Sequence, residues 1–319
     1  MKKPDLFVIG QPKSGTTALT CFLDQHPDIF ISKPKEPNFF CKDFHVISNA
    51  FHNSKTMRYF EFQDLDRYLK IFAAATPNVI AGEASTNYLF SKVAAEEIYA
   101  FNPQAKIIAL FREPVSFLYS LYHQYKNETE ETAPDFQKAL EFEESRKSGG
   151  NIPPRTRCPD YLFYSERIEY ARQIERYLQV FPREQLKVII FDDFRVDNAR
   201  TFKEVLSFLG VGTGFRPDFK GVHESRAPKS PWLNRMARTP WIKGIPKKIL
   251  PTRAYNKIQL NVQSLLMKPE GREPVNQEMK FKLMKEFKHE VIKINELLHK
   301  EGLLNPARDL VKTWHYDLV

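Results

Sequence analysis

The stretch Asp5–Pro27, DLFVIGQPKSGTTALTCFLDQHP, has the pattern of a strand, a glycine-bounded loop and a helix. The apolar run Leu6–Ile9 predicts a buried strand, and a helical pattern begins near Thr16. The loop between them runs from Gly10 to Gly15. In such a unit the N–H groups of the first helical turn point into the loop, with the positive end of the helix dipole behind them. The stretch therefore predicts an anion site, most often one for phosphate.

The position of the loop lysine differs from that in ATPases. The ATPase pattern is glycine, four residues, glycine, lysine and then serine or threonine. Here the two glycines have that spacing, but Thr16 occupies the lysine position and the lysine lies inside the loop, as Lys13. In addition, the apolar run Lys106–Phe111 ends in Arg112 rather than in an aspartate that could hold magnesium. An ordinary ATP or GTP hydrolase is therefore disfavoured.

Two motifs resemble the sulfotransferases that use 3′-phosphoadenosine 5′-phosphosulfate as the sulfuryl donor. The loop QPKSGTT at residues 11–17 is similar to their 5′-phosphosulfate loop. Arg112-Glu113-Pro114, with Ser120 eight residues after the arginine, is similar to their 3′-phosphate motif. The two motifs also occur in the family's order and at about its separation, which makes the pair more specific than either motif alone.

A third segment, Lys35-Glu36-Pro37-Asn38-Phe39-Phe40, follows Pro34. Its prolines make the segment stiff and extended, so that it can hold a charged side chain in one place. It resembles a stretch of the heparan-sulfate class of sulfotransferases and of their bacterial relatives, in which the glutamate is the general base. The resemblance runs over most of the chain, to residues 310–314, and is closest to bacterial and carbohydrate-type members.

The resemblance implies residues for catalysis and for donor binding. Sulfuryl transfer needs positive charge at the leaving oxygen and a base for the acceptor proton. Lys13 and Glu36 would supply these, and His123, one helical turn after Ser120, is a second candidate base. Cofactor binding would fall to Gln11, Pro12, Lys13, Ser14, Gly15, Thr16, Thr17, Arg112, Ser120, Arg226 and Lys229.

Each of these residues also has a structural explanation. Arg112 could form a salt bridge, Glu36 could pair with a neighbouring lysine at the surface, and His123 could simply pack within its helix. A basic loop such as the one that holds Arg226 could be a solvated surface. Three residues at another predicted strand end, Glu83, Ser85 and Tyr88, could likewise belong to the functional site or have only a structural role.

Apolar runs alternate with helical patterns along the chain, which predicts an α/β fold. We expect a P-loop-like three-layer α/β/α arrangement with a central, mostly parallel sheet and a C-terminal helical cap. The chain is interpreted as one domain, 1–319, with an α/β core at 1–214, a basic cofactor or substrate loop region at 215–260, and a C-terminal helix and tail at 275–319. Predicted strands cover 6–9, 28–31, 78–84, 106–111 and 186–191, and predicted helices cover 64–75, 91–101, 115–126, 161–180, 198–209 and 276–298.

Composition sets broad limits on the partners. The 319 residues are 42% apolar and carry a net charge of +9, a balance that suits nucleic acid, a membrane surface, an anionic cofactor or an acidic substrate. No apolar run reaches the roughly 18 residues that cross a bilayer, and the N-terminus lacks a signal-peptide pattern, so we expect a cytoplasmic protein. The cysteines lack metal-ligand spacing and are expected to be thiols.

We therefore expect a metal-independent sulfotransferase that uses 3′-phosphoadenosine 5′-phosphosulfate and releases 3′,5′-adenosine bisphosphate. The acceptor would be a hydroxyl, or less favourably an amine, on a carbohydrate, a lipid-linked molecule or a polyketide-type small molecule. The alternatives are a nucleotide kinase or NTPase, and a non-catalytic basic protein that binds glycan or nucleic acid. A lipid-linked or carrier-bound acceptor would suit the Trp- and Lys-containing stretch 229–248. Nucleic acid is not an expected partner of the enzyme, peripheral membrane contact is allowed, and the oligomeric state is left open.

Overall fold

A parallel sheet of five strands forms the centre of the protein, in a computed structural model that describes residues 2–53, 59–219, 226–228, 267–269 and 274–319. The strand order is β2-β3-β1-β4-β5, and each of the four pairings is parallel. Leu6 of the central strand lies opposite Gly82 on one side and Lys106 on the other. The strands are β1 (Leu6–Gly10), β2 (Ile29–Ile31), β3 (Ile80–Ala84), β4 (Lys106–Phe111) and β5 (Leu186–Ile190).

Helices cover both faces of this sheet, as the side chains of β1 show. Leu6 and Val8 belong to a core cluster with the helices that follow β1 and β5, whereas Phe7 and Ile9 belong to the larger cluster on the opposite face. Side chains of a strand alternate between faces, so a strand buried on both sides reads as a continuous apolar run. The prediction of a three-layer α/β/α fold with a mostly parallel sheet is confirmed.

The helices within and around the sheet agree with most of the predicted positions, although several are shorter. In chain order the helices up to the last strand are α1 (Thr16–Leu23), α2 (Lys42–Phe51), α3 (Leu65–Lys70), α4 (Ala94–Phe101), α5 (Pro114–Glu128), α6 (Phe136–Glu141), α7 (Glu143–Lys147) and α8 (Tyr170–Leu178). After β5 come α9 (Phe191–Val196), α10 (Asn198–Leu209), α11 (Gln277–Lys300) and α12 (Leu310–Thr313).

The prediction of one long helix over 161–180 is wrong. Two 3₁₀ turns, Pro159–Leu162 and Ser165–Ile168, precede the short helix α8. Side chains three residues apart all point inward through this region, with Tyr161, Tyr164, Arg167 and Tyr170 each at most 2% exposed. A three-residue repeat matches a 3₁₀ helix, in which residues i and i+3 eclipse, and does not match the 3.6-residue turn of an α-helix.

The C-terminal helix α11 caps the body as predicted. Its apolar residues follow one another at steps of three and four, and they are buried at Met284, Phe287, Val291, Ile294 and Leu298. The tail beyond it is fixed by side-chain hydrogen bonds: the Trp314 indole N–H donates to Asp192, and the Tyr316 hydroxyl donates to Glu113. The chain end thereby reaches the elements that begin at the carboxyl edge of the sheet.

Two further short strands, β6 (Arg226–Pro228) and β7 (Met267–Pro269), pair with each other in antiparallel fashion and form a second sheet. Most of the predicted basic region 215–260 lies outside the described residues. The division of the chain into one domain with three parts stays a prediction. Among the residues that the structure describes, no helix combines the length and the apolar character that a membrane span requires.

Glu113 couples the N-terminus of α5 to the tail, which gives a stability prediction. Its carboxylate accepts N–H bonds from Val115 (2.9 Å) and Ser116 (2.7 Å) and the Tyr316 hydroxyl (2.8 Å). We expect Glu113→Ala to lower the free energy of unfolding in urea by about 2 kcal/mol, because it removes an N-cap and leaves a hydroxyl without its acceptor. Glu204→Ala, at a half-exposed surface pair, is the control and should change stability little. Equal losses in both variants would contradict the role given to Glu113.

Candidate active site

The loop after β1 needs its two glycines for geometric reasons. Gly10 and Gly15 have φ of +154° and +87°, and a Cβ at Gly10 would approach the Leu89 Cβ to 2.9 Å. A Cβ at Gly15 would lie 3.0 Å from the ring of Phe194. Gly15 is also the N-cap of α1, where no side chain caps the first turn and no acidic residue follows. This helix start is therefore shaped for an anion that the protein does not itself supply.

A cleft of about 560 Å³ opens at this loop, at the carboxyl edge of the sheet. Open α/β sheets bind their ligands at this edge. Most of the residues predicted for the donor and for catalysis line the cleft, namely Pro12, Lys13, Gly15, Thr16, Thr17, Glu36, Arg112 and Ser120. The loop after β1, the segment of Glu36 and the segment that begins at Arg112 thus meet in one place, although the first and the last are about 100 residues apart in the sequence.

Arg112 ties the end of β4 to the loop after β1. Its Nη1 donates to the carbonyl oxygen of Lys13 at 2.9 Å, and its guanidinium lies 5.0 Å from the ring centre of Phe191. Its own carbonyl accepts the Tyr170 hydroxyl at 2.9 Å. The guanidinium is therefore held between the loop and α9, where its fork can face an anionic group in the cleft.

Lys35 joins the two predicted catalytic segments, although the sequence did not single it out. Its ammonium donates to the hydroxyls of Thr17 (2.6 Å) and Thr16 (3.4 Å) and lies 3.8 Å from the Glu36 carboxylate. Burial lowers the pKa of Lys35, and the neighbouring Glu36 partly offsets that effect. Lys35 is thus a further basic side chain of the cleft, beside Lys13 and Arg112.

The backbone around Glu36 is held in an unusual conformation. Glu36 and Asn38 have φ of 58° and 51°, in the left-handed region that non-glycine residues rarely adopt. The Glu36 N–H donates to the Ala84 carbonyl at 3.0 Å, and the Asn38 side-chain amide donates to the Glu36 carbonyl at 2.9 Å. The Thr86 hydroxyl contacts the Glu36 carboxylate at 3.3 Å. The carboxylate is therefore aimed into the cleft by contacts with the end of β3.

Three predicted residues do not line the cleft. Gln11 is buried, and its side-chain amide donates to the Arg167 carbonyl at 3.2 Å. Ser14 is also buried, and its hydroxyl bonds to the Pro12 carbonyl at 3.4 Å. His123 packs against the rings of Tyr119 and Tyr122, at 4.5 and 5.2 Å between ring centres. The side chains of Gln11 and Ser14 therefore serve to shape the loop, and the location of His123 favours packing over base catalysis.

Arg226 and Lys229 are the remaining predicted cofactor residues. Lys229 lies outside the described residues, and for Arg226 the structure describes only the backbone, as the start of β6. Their role stays a prediction. Within the described part of the chain, no group of three or more His, Cys, Asp or Glu residues is arranged for a metal ion.

The structure adds cleft residues that sequence reasoning missed. They are Ala18, Lys35, Thr86, Gln124, Phe191, Phe194, Arg195 and Asn198. A usable signal existed for some of them, because α9 follows directly on β5 and thus begins at the same edge that led to Arg112. For Thr86 the signal was its position just after β3. For Gln124 the signal was its position four residues after Ser120, on the same face of α5.

Glu83, at the end of β3, lies outside the cleft and is 0% exposed. Its carboxylate accepts the hydroxyls of Tyr68, Ser85 and Tyr88, each at 2.7 Å. Burial raises the pKa of Glu83 to about 7, although the three hydroxyl donors act in the opposite direction. The nearby Glu36 carboxylate contributes to the upward shift. Glu83, Ser85 and Tyr88 therefore form a buried network behind the Glu36 loop.

Comparisons with known proteins define the class. The sequence matches the sulfotransferase domain family over residues 3–218, which is more than half of the chain. The structure of a sulfotransferase from Alicyclobacillus acidocaldarius superposes with a TM-score of 0.70 at 26% identity and covers 99% of this chain and 100% of that one. The chain therefore belongs to the sulfotransferase family, as the resemblance of its motifs indicated.

Two curated relatives are similar to this chain over part of their length. Over 218 residues the chain is 31% identical to human bifunctional heparan sulfate N-deacetylase/N-sulfotransferase 3. This match covers 65% of this chain and 22% of the human protein. Over 250 residues it is 28% identical to mouse carbohydrate sulfotransferase 15, with 66% of this chain and 44% of the mouse protein covered. The chain thus matches less than half of the length of either relative.

The raised pKa of Glu83 predicts a pH-dependent stability. Between its ordinary pKa of 4.5 and about 7, the folded protein binds a proton at Glu83 that the unfolded chain has released, so stability falls as pH rises through this window. The glutamine of Glu83→Gln does not titrate. Relative to this variant, the wild type should therefore lose on the order of 3 kcal/mol of unfolding free energy between pH 4.5 and pH 8. Urea denaturation across this range measures it. A difference that does not vary with pH would show that Glu83 ionises at its ordinary pKa.

Proposed function

We propose that this protein transfers a sulfuryl group from 3′-phosphoadenosine 5′-phosphosulfate to an acceptor hydroxyl. The observation that carries the proposal is the meeting of Lys13, Lys35 and Arg112 with the Glu36 carboxylate in one cleft at the start of α1. Such a cleft combines sites for a doubly phosphorylated nucleotide with a candidate base. The match to the sulfotransferase domain family supports the same chemistry.

Two anion positions would hold the donor. The amides at the start of α1, with the hydroxyls of Thr16 and Thr17, would bind the 5′-phosphosulfate. Arg112 and Ser120, which both line the cleft, would bind the 3′-phosphate. Because Arg112 donates to the Lys13 carbonyl, the two positions are fixed relative to each other by a 2.9 Å hydrogen bond. Arg226 and Lys229 are proposed to close over the same phosphates, by analogy with relatives that have a basic loop at this point.

The transfer step needs a cation and a base on opposite sides of the sulfur atom. A bond forms between sulfur and the acceptor oxygen while the bond between sulfur and the 5′-phosphate oxygen breaks. Lys13 would offset the charge that develops on the phosphate oxygen, and Glu36 would take the proton of the acceptor hydroxyl. Lys35, which contacts both Thr17 and Glu36, adds positive charge between these two positions.

A carbohydrate is the proposed acceptor. The curated relatives are named as a heparan sulfate N-sulfotransferase and a carbohydrate sulfotransferase, and the net charge of +9 suits an acidic sugar chain. The N-sulfotransferase name keeps an amino sugar as an alternative acceptor to a hydroxyl. A lipid-linked or polyketide-type acceptor, and a cytoplasmic location, stay predictions of the sequence.

Donor binding can be tested by thermal shift. Because a ligand that binds the native state raises the melting temperature, 3′,5′-adenosine bisphosphate should stabilise the protein and ATP–Mg²⁺ should not. Arg112→Ala should weaken bisphosphate binding at least about tenfold, as measured by calorimetry. Arg172→Ala, an exposed arginine paired with Glu169, is the matched control and should bind normally. Stabilisation by ATP–Mg²⁺ alone would favour a kinase or NTPase instead.

Catalysis can be tested at Glu36 with ³⁵S-labelled donor and a panel of N-deacetylated and desulfated glycosaminoglycans. We expect Glu36→Gln to reduce sulfuryl transfer by roughly 10²–10⁴-fold, which is the range for loss of a general base, while bisphosphate affinity stays unchanged. His123→Asn is the comparison variant, because His123 was the second candidate base. Full activity in Glu36→Gln together with an inactive His123→Asn would reverse the assignment of the base.

A further inference from the structure

The buried Glu83 network reaches the backbone of the Glu36 loop. The Ser85 hydroxyl, which donates to Glu83, accepts the Asn38 N–H at 3.0 Å. The Tyr88 hydroxyl, which also donates to Glu83, accepts the Phe40 N–H at 3.4 Å. Hydroxyls bound to one buried carboxylate therefore hold two backbone amides that follow Glu36.

The third hydroxyl donor of the network packs against the same segment. The ring of Tyr68 stacks on the ring of Phe39 with 4.4 Å between centres and 8° between planes. Residues 38, 39 and 40 are therefore each contacted by a residue that donates to Glu83. Backbone conformations such as those of Glu36 and Asn38 persist where the surrounding structure holds them, and this network supplies such contacts.

The chemistry of a carboxylate makes these contacts directional. Above its raised pKa of about 7, Glu83 is ionised and its carboxylate only accepts. The hydroxyls of Ser85 and Tyr88 then turn their protons toward Glu83 and their lone pairs toward the N–H groups of Asn38 and Phe40. The Tyr68 hydroxyl also turns its proton toward Glu83. A side-chain amide at position 83 would donate as well as accept and could not orient all three hydroxyls in this way. The orientation of Ser85 toward Asn38 thus depends on the acid at position 83, although the volume of a glutamine would be nearly the same.

We propose that Glu83 is a positioning residue for catalysis, which acts through Ser85 on the Glu36 loop and so fixes the direction of the Glu36 carboxylate. This inference rests on the proposed function, because it assumes that Glu36 is the base. Glu83 itself does not line the cleft, and its substitution should therefore affect the transfer step and not donor binding.

The test compares Glu83→Gln, Ser85→Ala and the double variant in the labelled-donor assay at pH 8, above the raised pKa of Glu83. Each single variant should lower kcat at least about tenfold, since misplacing a catalytic group by about 1 Å can cost about a hundredfold. The donor KM and the affinity for 3′,5′-adenosine bisphosphate should stay within about twofold of wild type. The double variant should be no slower than Glu83→Gln alone, because both substitutions break one chain of hydrogen bonds.

Glu143→Gln is the matched control for lost stability. Glu143 is also a buried carboxylate that accepts from a serine, Ser165, but it does not line the cleft. Its variant should keep the wild-type kcat. Hydrogen exchange followed by mass spectrometry gives a readout without an acceptor: the peptide that holds Asn38 and Phe40 should exchange faster in Glu83→Gln and not in Glu143→Gln.

The outcomes separate the two proposals. A wild-type kcat or unchanged exchange in Glu83→Gln would overturn the positioning role, and so would effects of Glu83→Gln and Ser85→Ala that multiply in the double variant. An equal loss of kcat in Glu143→Gln would overturn it as well. By contrast, a wild-type protein that neither binds the bisphosphate nor transfers label would contradict the proposed function itself.

Discussion

The central position of β1 in a parallel sheet is the constraint on which the site depends. Its neighbours β3 and β4 pair with it in parallel, so the three strands end at the same edge. The loop that holds Lys13, the segment that holds Thr86 and the residue Arg112 each follow one of these ends. Parallel strands are joined by long helical crossovers, so residues that are distant in sequence meet at this edge. The sheet, and not any short-range sequence pattern, brings them together.

Two loops at this edge then shape one cleft from opposite sides. The glycines at 10 and 15 allow the first loop to approach Leu89 and Phe194 closely, and the N-terminus of α1 faces the opening. The second loop carries Glu36 in a left-handed conformation that contacts with the end of β3 maintain. Lys35 bridges the two loops through its bonds to the Thr17 hydroxyl and its proximity to Glu36. The arrangement places positive charge beside the candidate base, and the side chains of Lys35 and Glu36 both stay partly exposed.

Much of the fold and a good part of the cleft could be predicted from the sequence. The runs of β1 and β4 are apolar on both faces and therefore identify central strands, and the two phosphate motifs gave Lys13, Arg112 and Ser120. The prediction failed over 161–180, where buried polar and aromatic side chains repeat every three residues and the contacts that bury them are non-local.

Side-chain direction within a motif was harder to predict than the motif itself. Gln11 belongs to the recognisable loop, yet its amide points to Arg167 in the interior, because a loop that presents its backbone to a ligand must turn some side chains away. The sequence indicates for Lys35 only a pairing with its neighbour Glu36. Its bond to Thr17 joins residues 18 positions apart and is visible only in the structure. The role of Glu83 likewise depends on the distance between β3 and the Glu36 loop, which only the structure supplies.

A crystal structure of the protein with 3′,5′-adenosine bisphosphate would test the central claim most directly. We expect the 5′-phosphate on the amides at the start of α1 beside Lys13, and the 3′-phosphate on Arg112 and Ser120. A bisphosphate bound away from the cleft, or with its 3′-phosphate on the loop after β1, would contradict it.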